Sequence, residues 1–413
     1  MNKDLSKLVE IANAHSRLII GLMSGTSLDG LDIALCRFHG NGPGTKVELL
    51  QFKTLSYPAE VKSRLKPISS KPVVDLQEVT LINAWLGSYF AELINAALAE
   101  WNIRPDEVDL IASHGQTIFH APFFQHQLEP YGNATLQIGD GDHIALKTGI
   151  ITLSDFRQKH IAAGGEGAPL ALYGDYLMFS DPEEHRVLLN IGGIANFTWL
   201  PALKQDSQEV SMPKVFSTDT GSGNTLMDQY VQKQFPGKQY DEDAQIARTG
   251  KVNESLLERL LDLPFFKLKF PKTTGPEVFS LSHLEQVIEE VLTQEQPAAR
   301  IAPAKAEISP ADVLATLAQF STIGIVRALQ ATIPAGTPFK VYVSGGGMHN
   351  PLLIRNLERQ LGMQMESTAL LDMDPDAKEA VLFALLANEC ISGPEINMEG
   401  QPAVAMGKIS FPG

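Results

Sequence analysis

Gly21-Leu22-Met23-Ser24-Gly25-Thr26-Ser27-Leu28-Asp29-Gly30 lies between two short apolar runs, Leu18-Ile19-Ile20 and Leu31-Asp32-Ile33-Ala34-Leu35. Small polar residues between apolar runs read as strand, tight turn, strand: a β-hairpin. Glycine lets backbone N–H groups come close to a phosphate, and Ser or Thr adds hydroxyl donors. A carboxylate beside such a loop repels phosphate unless a divalent cation intervenes, so Asp29 points to a nucleotide with Mg²⁺. The plain alternative is an ordinary Gly/Ser/Asp hairpin turn, and the segment alone leaves both open.

Outward from the hairpin, Lys46–Thr54 extends it to an antiparallel meander. Apolar residues at helical spacing follow across Val74–Glu100. Asp109-Leu110-Ile111-Ala112-Ser113 reads as a buried strand ending in a polar loop, His114-Gly115-Gln116-Thr117. A second cycle starts at Val187–Gly193, which forms a Gly-turned hairpin with Ala195–Leu200. Asp219-Thr220-Gly221-Ser222-Gly223-Asn224 then opens a helix over Thr225–Phe235. Further helices are expected at Leu281–Leu292, Pro310–Ile333, Pro351–Leu361 and Asp376–Ile391, and Val341–Ser344 is a strand. The two Gly-turned hairpins hint at an internal duplication. Ala202–Lys214 and Glu295–Ile308 read as solvated connectors.

A chain of 413 residues is too long for one core and points to two domains. A net charge of −15 offers no basic excess with which to hold nucleic acid. Cys36 and Cys390 have no zinc or CxxC spacing and read as buried free thiols of a reducing cytosol. Met1–Ser16 lacks the apolar stretch of a signal peptide, and no run approaches the roughly 18 apolar residues of a membrane span. The expectation is a cytoplasmic protein that contacts neither nucleic acid nor membrane.

There is no GxxxxGK[ST] loop and no GxGxxG entering a helix, so the common nucleotide loops are absent. Instead three separated Gly-rich turns, Gly25–Gly30, Ile191–Ile194 and Gly345–Gly347, each follow a β-like run. Three consecutive glycines exceed what a strand–helix turn needs and offer a flat backbone to an adenine or ribose. Asp219 is a candidate general base if Ser222 or Asn224 caps the following helix in its place. Arg157 can clamp a carboxylate or phosphate, or pair with Asp155 to hold a loop. His114 is either a proton carrier or a neutral, positioned hydrogen-bonding group.

Together these blocks resemble the anhydro-N-acetylmuramic acid kinase family of the actin/Hsp70/sugar-kinase superfamily. The resemblance rests on Gly21–Asp32, Ser113–His120, Gln137–Gly141, Asp155–Arg157, Ala162–Leu170, Asn190–Asn196, Asp219–Asn224 and Ser344–Asn350, in the family's order. It implies an α/β fold of two ribonuclease-H-like domains with an interdomain nucleotide cleft. The first domain would take residues 1–150 and 376–413, the second 151–375. The implied reaction uses ATP and Mg²⁺ to open a 1,6-anhydro amino sugar with water and to phosphorylate O6.

Carried over by motif, Asp219 would activate the water, with Glu379 assisting. Gly25, Thr26, Ser27, Leu28, Asp29, Gly30, Leu31 and Asp32 would form the first phosphate loop, with Asp29 near the metal. Asn190, Gly192 and Gly193 would form the second phosphate loop, and Gly345, Gly346 and Gly347 would flank the adenosine. His114, Gln116, Thr117, Arg157 and Gly167 would meet the sugar. The chain departs from the usual pattern at His160, Glu166 and Pro276. A kinase for another sugar and a non-kinase ATPase are the alternatives, and the resemblance makes a homodimer reasonable.

Overall fold

The opening hairpin is β1 (Ser16–Ser24) and β2 (Gly30–His39), extended by β3 (Lys46–Ser56) into an antiparallel meander. This computed structural model describes residues 2–168, 170–204, 214–275, 277–294, 307–371, 373–374, 376–393, 398 and 402–413. β4 (Leu110–Ala121) runs parallel to β1, and β6 (Thr152–Ser154) runs parallel to β4. β5 (Ala134–Ile138) pairs antiparallel with the far end of β4, and a strand at Lys408–Ser410 closes the β6 edge.

The period of a strand explains how β1 is buried on both faces. Ile20 and Leu22 join a core with Leu86, Phe90 and Ile94 of the Leu76–Glu100 helix. Gly21, between them, faces the other way, onto the Lys378–Ser392 helix. A Cβ there would lie 1.9 Å from the Ala380 carbonyl oxygen, so helix backbone packs directly on strand backbone.

In the second unit β7 (Arg186–Ile191), β8 (Ile194–Leu200) and β9 (Phe216–Ser222) form another antiparallel meander. β10 (Lys340–Ser344) lies parallel to β7, and β11 (Met365–Ser367) parallel to β10. Val187, Leu189, Phe197 and Trp199 bury against Ile325 and Leu329 of the Pro310–Thr332 helix. Among the described residues this is the one helix long and apolar enough to cross a membrane, and most of it is buried within the unit. The sheets run β3-β2-β1-β4-β6 and β9-β8-β7-β10-β11, the same ribonuclease-H-like order twice. The duplication hinted at by the two hairpins is therefore visible in the topology.

Several expectations are corrected. His114–Thr117 is not a loop but the middle of β4, because its polar side chains find partners within the unit. The units are Met1–Phe179 with Asp376–Gly413, and Ser180–Pro375, so residues 151–179 belong to the first. The reason is that β6 extends the β4 sheet and the Ala171–Phe179 helix packs on the Lys378–Ser392 helix. That last helix begins at Lys378, and Cys390 is only half-buried, though both thiols are free. Residues 205–213, 295–306 and Pro276 lie outside the described residues.

Candidate active site

The Gly25–Asp29 turn is held from beneath. Leu28 adopts φ +60°, its N–H bonds to the Gly25 carbonyl at 3.2 Å, and its side chain is buried in the core. Thr26 and Ser27 are left exposed. Ser24 Oγ donates to Gln116 Oε1 at 2.6 Å, so the Tyr57 hydroxyl, 2.7 Å away, donates to Ser24. Gln116 Nε2 donates in turn to the Gly25 and Thr117 carbonyls at 3.1 and 3.2 Å. Gln116 is fully buried and its carboxamide fully engaged. It anchors the turn and is not placed to meet a sugar, contrary to expectation.

Leu28 and Leu31 have core side chains, so only their backbone could serve a nucleotide. Gly30 is explained by the sheet, since a Cβ there would lie 2.5 Å from the Leu55 carbonyl oxygen. Gly25 does face open space. The Asp29 carboxylate is 79% exposed and 3.9 Å from Lys62 Nζ. Among the described residues no three His, Cys, Asp or Glu side chains gather as a metal site.

A second cluster of the first unit centres on Arg157, near the start of the Phe156–Ala162 helix. Its Nε donates to His114 Nε2 at 3.0 Å and its Nη1 to the Gly167 carbonyl at 2.7 Å. Nη2 has no hydrogen bond among the described residues. Asp155 pairs with Lys408 and not with Arg157. Accepting at Nε2 requires a neutral His114 ring, and burial, reinforced by the guanidinium, lowers its pKa to about 3. His114 thus props Arg157 as a neutral ring, packed on Phe383 at 4.6 Å.

Gly167 has φ +78° and donates its N–H to Nδ1 of the buried His160 at 2.9 Å. The imidazole at that unusual position therefore shapes the loop that holds Arg157, while Glu166 is exposed. Glu379 is reached by water yet hemmed in by protein. Its pKa is raised by burial and then by Asp32, against the pull of Arg157 and Lys378. Asp32 is also raised by burial, with the Thr54 hydroxyl (2.5 Å) opposing and Asp376 adding. Thr117 Oγ1 accepts from Gln137 Nε2 at 3.0 Å.

In the second unit Asp219 stands in β9 and is not a helix cap. Its N–H donates to the Lys272 carbonyl at 2.9 Å, and its Oδ2 accepts from Thr274 N–H at 2.7 Å. Burial raises its pKa and the Thr274 bond partly offsets the rise. The following helix, Thr225–Gln234, has Asn224 at its cap position without a capping side-chain bond. The expected cap by Ser222 or Asn224 is therefore not made; Asn224 Nδ2 points to the Ile191 carbonyl at 3.4 Å.

Lys272 and Thr274, which cradle Asp219, stand in the stretch with the Pro276 departure and were given no role from sequence. Lys272 is buried with Nζ 2.9 Å from the Phe265 carbonyl, 4.1 Å from the Phe265 ring centre and 4.3 Å from that of Phe270. This caged cation pins the segment whose Thr274 N–H holds the carboxylate. A backbone donor has no side-chain signature. The flanking aromatics at Phe265, Phe266 and Phe270 were the available signal.

The second Gly turn is stitched to the helix start. Gly192 and Gly193 carbonyls accept from the N–H groups of Gly223, Asn224 and Thr225 at 2.8 to 3.1 Å, leaving the two glycines' own N–H groups out of that stitching. The three-glycine run is only partly a ligand surface. Gly345 has φ +82° and a Cβ there would lie 2.6 Å from Asn190 Oδ1, while one at Gly347 would lie 2.3 Å from Ile191 Cγ2. Packing on the end of β7 demands both, and Gly346 alone is exposed and open.

A family model described as anhydro-N-acetylmuramic acid kinase matches residues 17–403. A relative of that name from Pseudoalteromonas atlantica is 51% identical over 418 aligned residues, covering all of both chains. Another from Caldanaerobacter subterraneus subsp. tengcongensis is 38% identical, covering 98% of this chain and 100% of its own. A ROK family glucokinase structure from Streptomyces griseus, in complex with glucose and AMPPNP, covers 89% of this chain and 98% of its own at 13% identity and TM-score 0.35. Full-length identity at these levels and the near-complete family match agree, and the chain belongs to the anhydro-N-acetylmuramic acid kinase family.

Proposed function

We propose that the chain is an ATP-dependent kinase that opens 1,6-anhydro-N-acetylmuramic acid with water and phosphorylates O6, giving N-acetylmuramic acid 6-phosphate and ADP. The observation that carries the chemical step is Asp219. One of its oxygens is held by Thr274 N–H, the other is left for a water, and burial raises its basicity. Asp219 takes a proton as the water oxygen bonds to C1. The C1–O6 bond breaks with its electron pair on O6, and O6 attacks the γ-phosphorus as the bond to the ADP oxygen breaks. Ring opening supplies the oxygen nucleophile, so one carboxylate base suffices.

The remaining assignments follow from chemistry. The exposed Thr26 and Ser27 with the Gly25 backbone, and the Gly192–Gly193 turn, serve the phosphates; Gly346 serves the adenosine. Arg157 Nη2 and Thr117 are the free donors for the sugar, and Glu379 helps place the water. Hard carboxylate oxygens suit a hydrated Mg²⁺ accompanying the phosphates, and Asp29 and Asp32 would hold it. Bound there, it would neutralise phosphate charge; the chain's own work is positioning. A cytoplasmic location matches a reaction that uses ATP.

The test is turnover in ¹⁸O-labelled water, with ADP release followed with and without the anhydro sugar. Label at C1 and sugar-dependent ADP support the reading. Sugar-dependent ADP with no label at C1 would leave a plain hydroxyl kinase.

A further inference from the structure

Thr117 and Gln137 are opposed in the β4–β5 register, just before the irregularity between Thr117 and Phe119. Gln137 Nε2 lies 3.0 Å from Thr117 Oγ1 and 2.8 Å from Thr135 Oγ1. A carboxamide facing two hydroxyls can in principle present either end. The structure turns the –NH₂ end toward both hydroxyls. Thr135 Oγ1 is 3.3 Å from the Phe119 carbonyl oxygen, which can only accept, so the single Thr135 proton points there. Thr135 Oγ1 then accepts from Gln137, in keeping with the –NH₂ end turned toward both hydroxyls.

One hydrogen of that –NH₂ goes to each threonine. Thr117 Oγ1 accepts, and its own proton has no acceptor among the described residues. The opposite end of the carboxamide bears a cost: Gln137 Oε1 is buried with no hydrogen-bond partner among the described residues.

We infer that Gln137 is a positioning residue that makes Thr117 a hydrogen-bond donor toward the sugar, aimed at an acceptor oxygen of the substrate. An ether, carbonyl or carboxylate oxygen meets that requirement. An anhydro sugar, in which one ether oxygen replaces two hydroxyls, offers such an acceptor. The inference rests on the reading of Thr117 as a sugar contact.

The test is a double-mutant cycle on kcat/KM for the anhydro sugar at saturating ATP, with Gln137→Glu, Thr117→Val and both together. A carboxylate at 137 accepts where the amide donated, and Thr117 turns its proton inward. Gln137→Glu should lower kcat/KM by roughly 10-fold or more, mainly through KM, and by less than about twofold in the Thr117→Val background. Lowering the pH should partly restore the single variant as the new carboxyl regains a proton. An equal loss in both backgrounds would overturn the relay while leaving Thr117 a sugar contact. Unchanged kcat/KM in Thr117→Val would place the failure at the contact itself and remove the inference with it. Gln137→Met, which lacks the donor without adding charge, repeats the cycle if the glutamate variant does not fold.

Discussion

Replacing Gln116 by leucine tests the anchoring of the first Gly turn. Three hydrogen bonds are lost in a fully buried site: from Ser24 Oγ, and to the carbonyls of Gly25 and Thr117. At about 1 kcal/mol net for each, the first unit should lose about 3 kcal/mol. For a unit of this size that corresponds to a Tm lower by about 6–12 °C. The functional effect should exceed the thermal one. With the Gly25 carbonyl released, the turn no longer presents its N–H groups in a fixed direction, and KM for ATP should rise roughly 10-fold or more at a temperature where the variant is folded. KM for the sugar should move less. Calorimetric unfolding and steady-state kinetics at several ATP concentrations measure both. A variant with normal ATP KM and a lowered Tm would refute the anchoring role and leave Gln116 a packing residue.

Asp219→Asn should fold normally and lose roughly 10²–10⁴-fold in kcat, as loss of a general base does. In the native enzyme activity should rise with pH through the Asp219 pKa, which burial has moved above the ordinary aspartate range, so the acid limb should lie correspondingly high. Gly345→Ala combines φ +82° with a clash at 2.6 Å and should cost about 2 kcal/mol or more, whereas Gly346→Ala, whose nearest neighbour is at 3.5 Å, should leave Tm unchanged. Arg157→Lys cannot satisfy His114 and Gly167 and still offer a free donor, so KM for the sugar should rise roughly 10–100-fold.

The two hairpins and the helices that cover them were legible because apolar periodicity and small-residue turns are local signals. What stayed hidden was decided by partners far along the chain. His114–Thr117 looks like a loop because its residues are polar. Only Ser24, Arg157 and Gln137 show how a strand can bury them. Gly345 and Gly347 looked like ligand surface, since nothing in their neighbourhood announces the end of β7 pressing on them. Asp219 was found by type and setting, but its fixed oxygen depends on a backbone N–H 55 residues away, which leaves no trace in residue identity. His114 could be read as acid or prop, and the guanidinium on its Nε2 decides for the prop.

The return of the chain to its first unit has a consequence for synthesis. Residues 180–375 are continuous and can assemble as soon as they leave the ribosome. The first unit cannot, because the Lys378–Ser392 helix that lies against Gly21 of β1 is made only after the whole of the second unit. Until it arrives, β1 and β2 have one apolar face uncovered, and the nascent chain at that stage is a substrate for chaperones or for aggregation. Glu379 rides on the same helix, so the event that completes the sheet also delivers the last carboxylate of the proposed site. A truncated or stalled product would thus hold a finished second unit and a first unit without function.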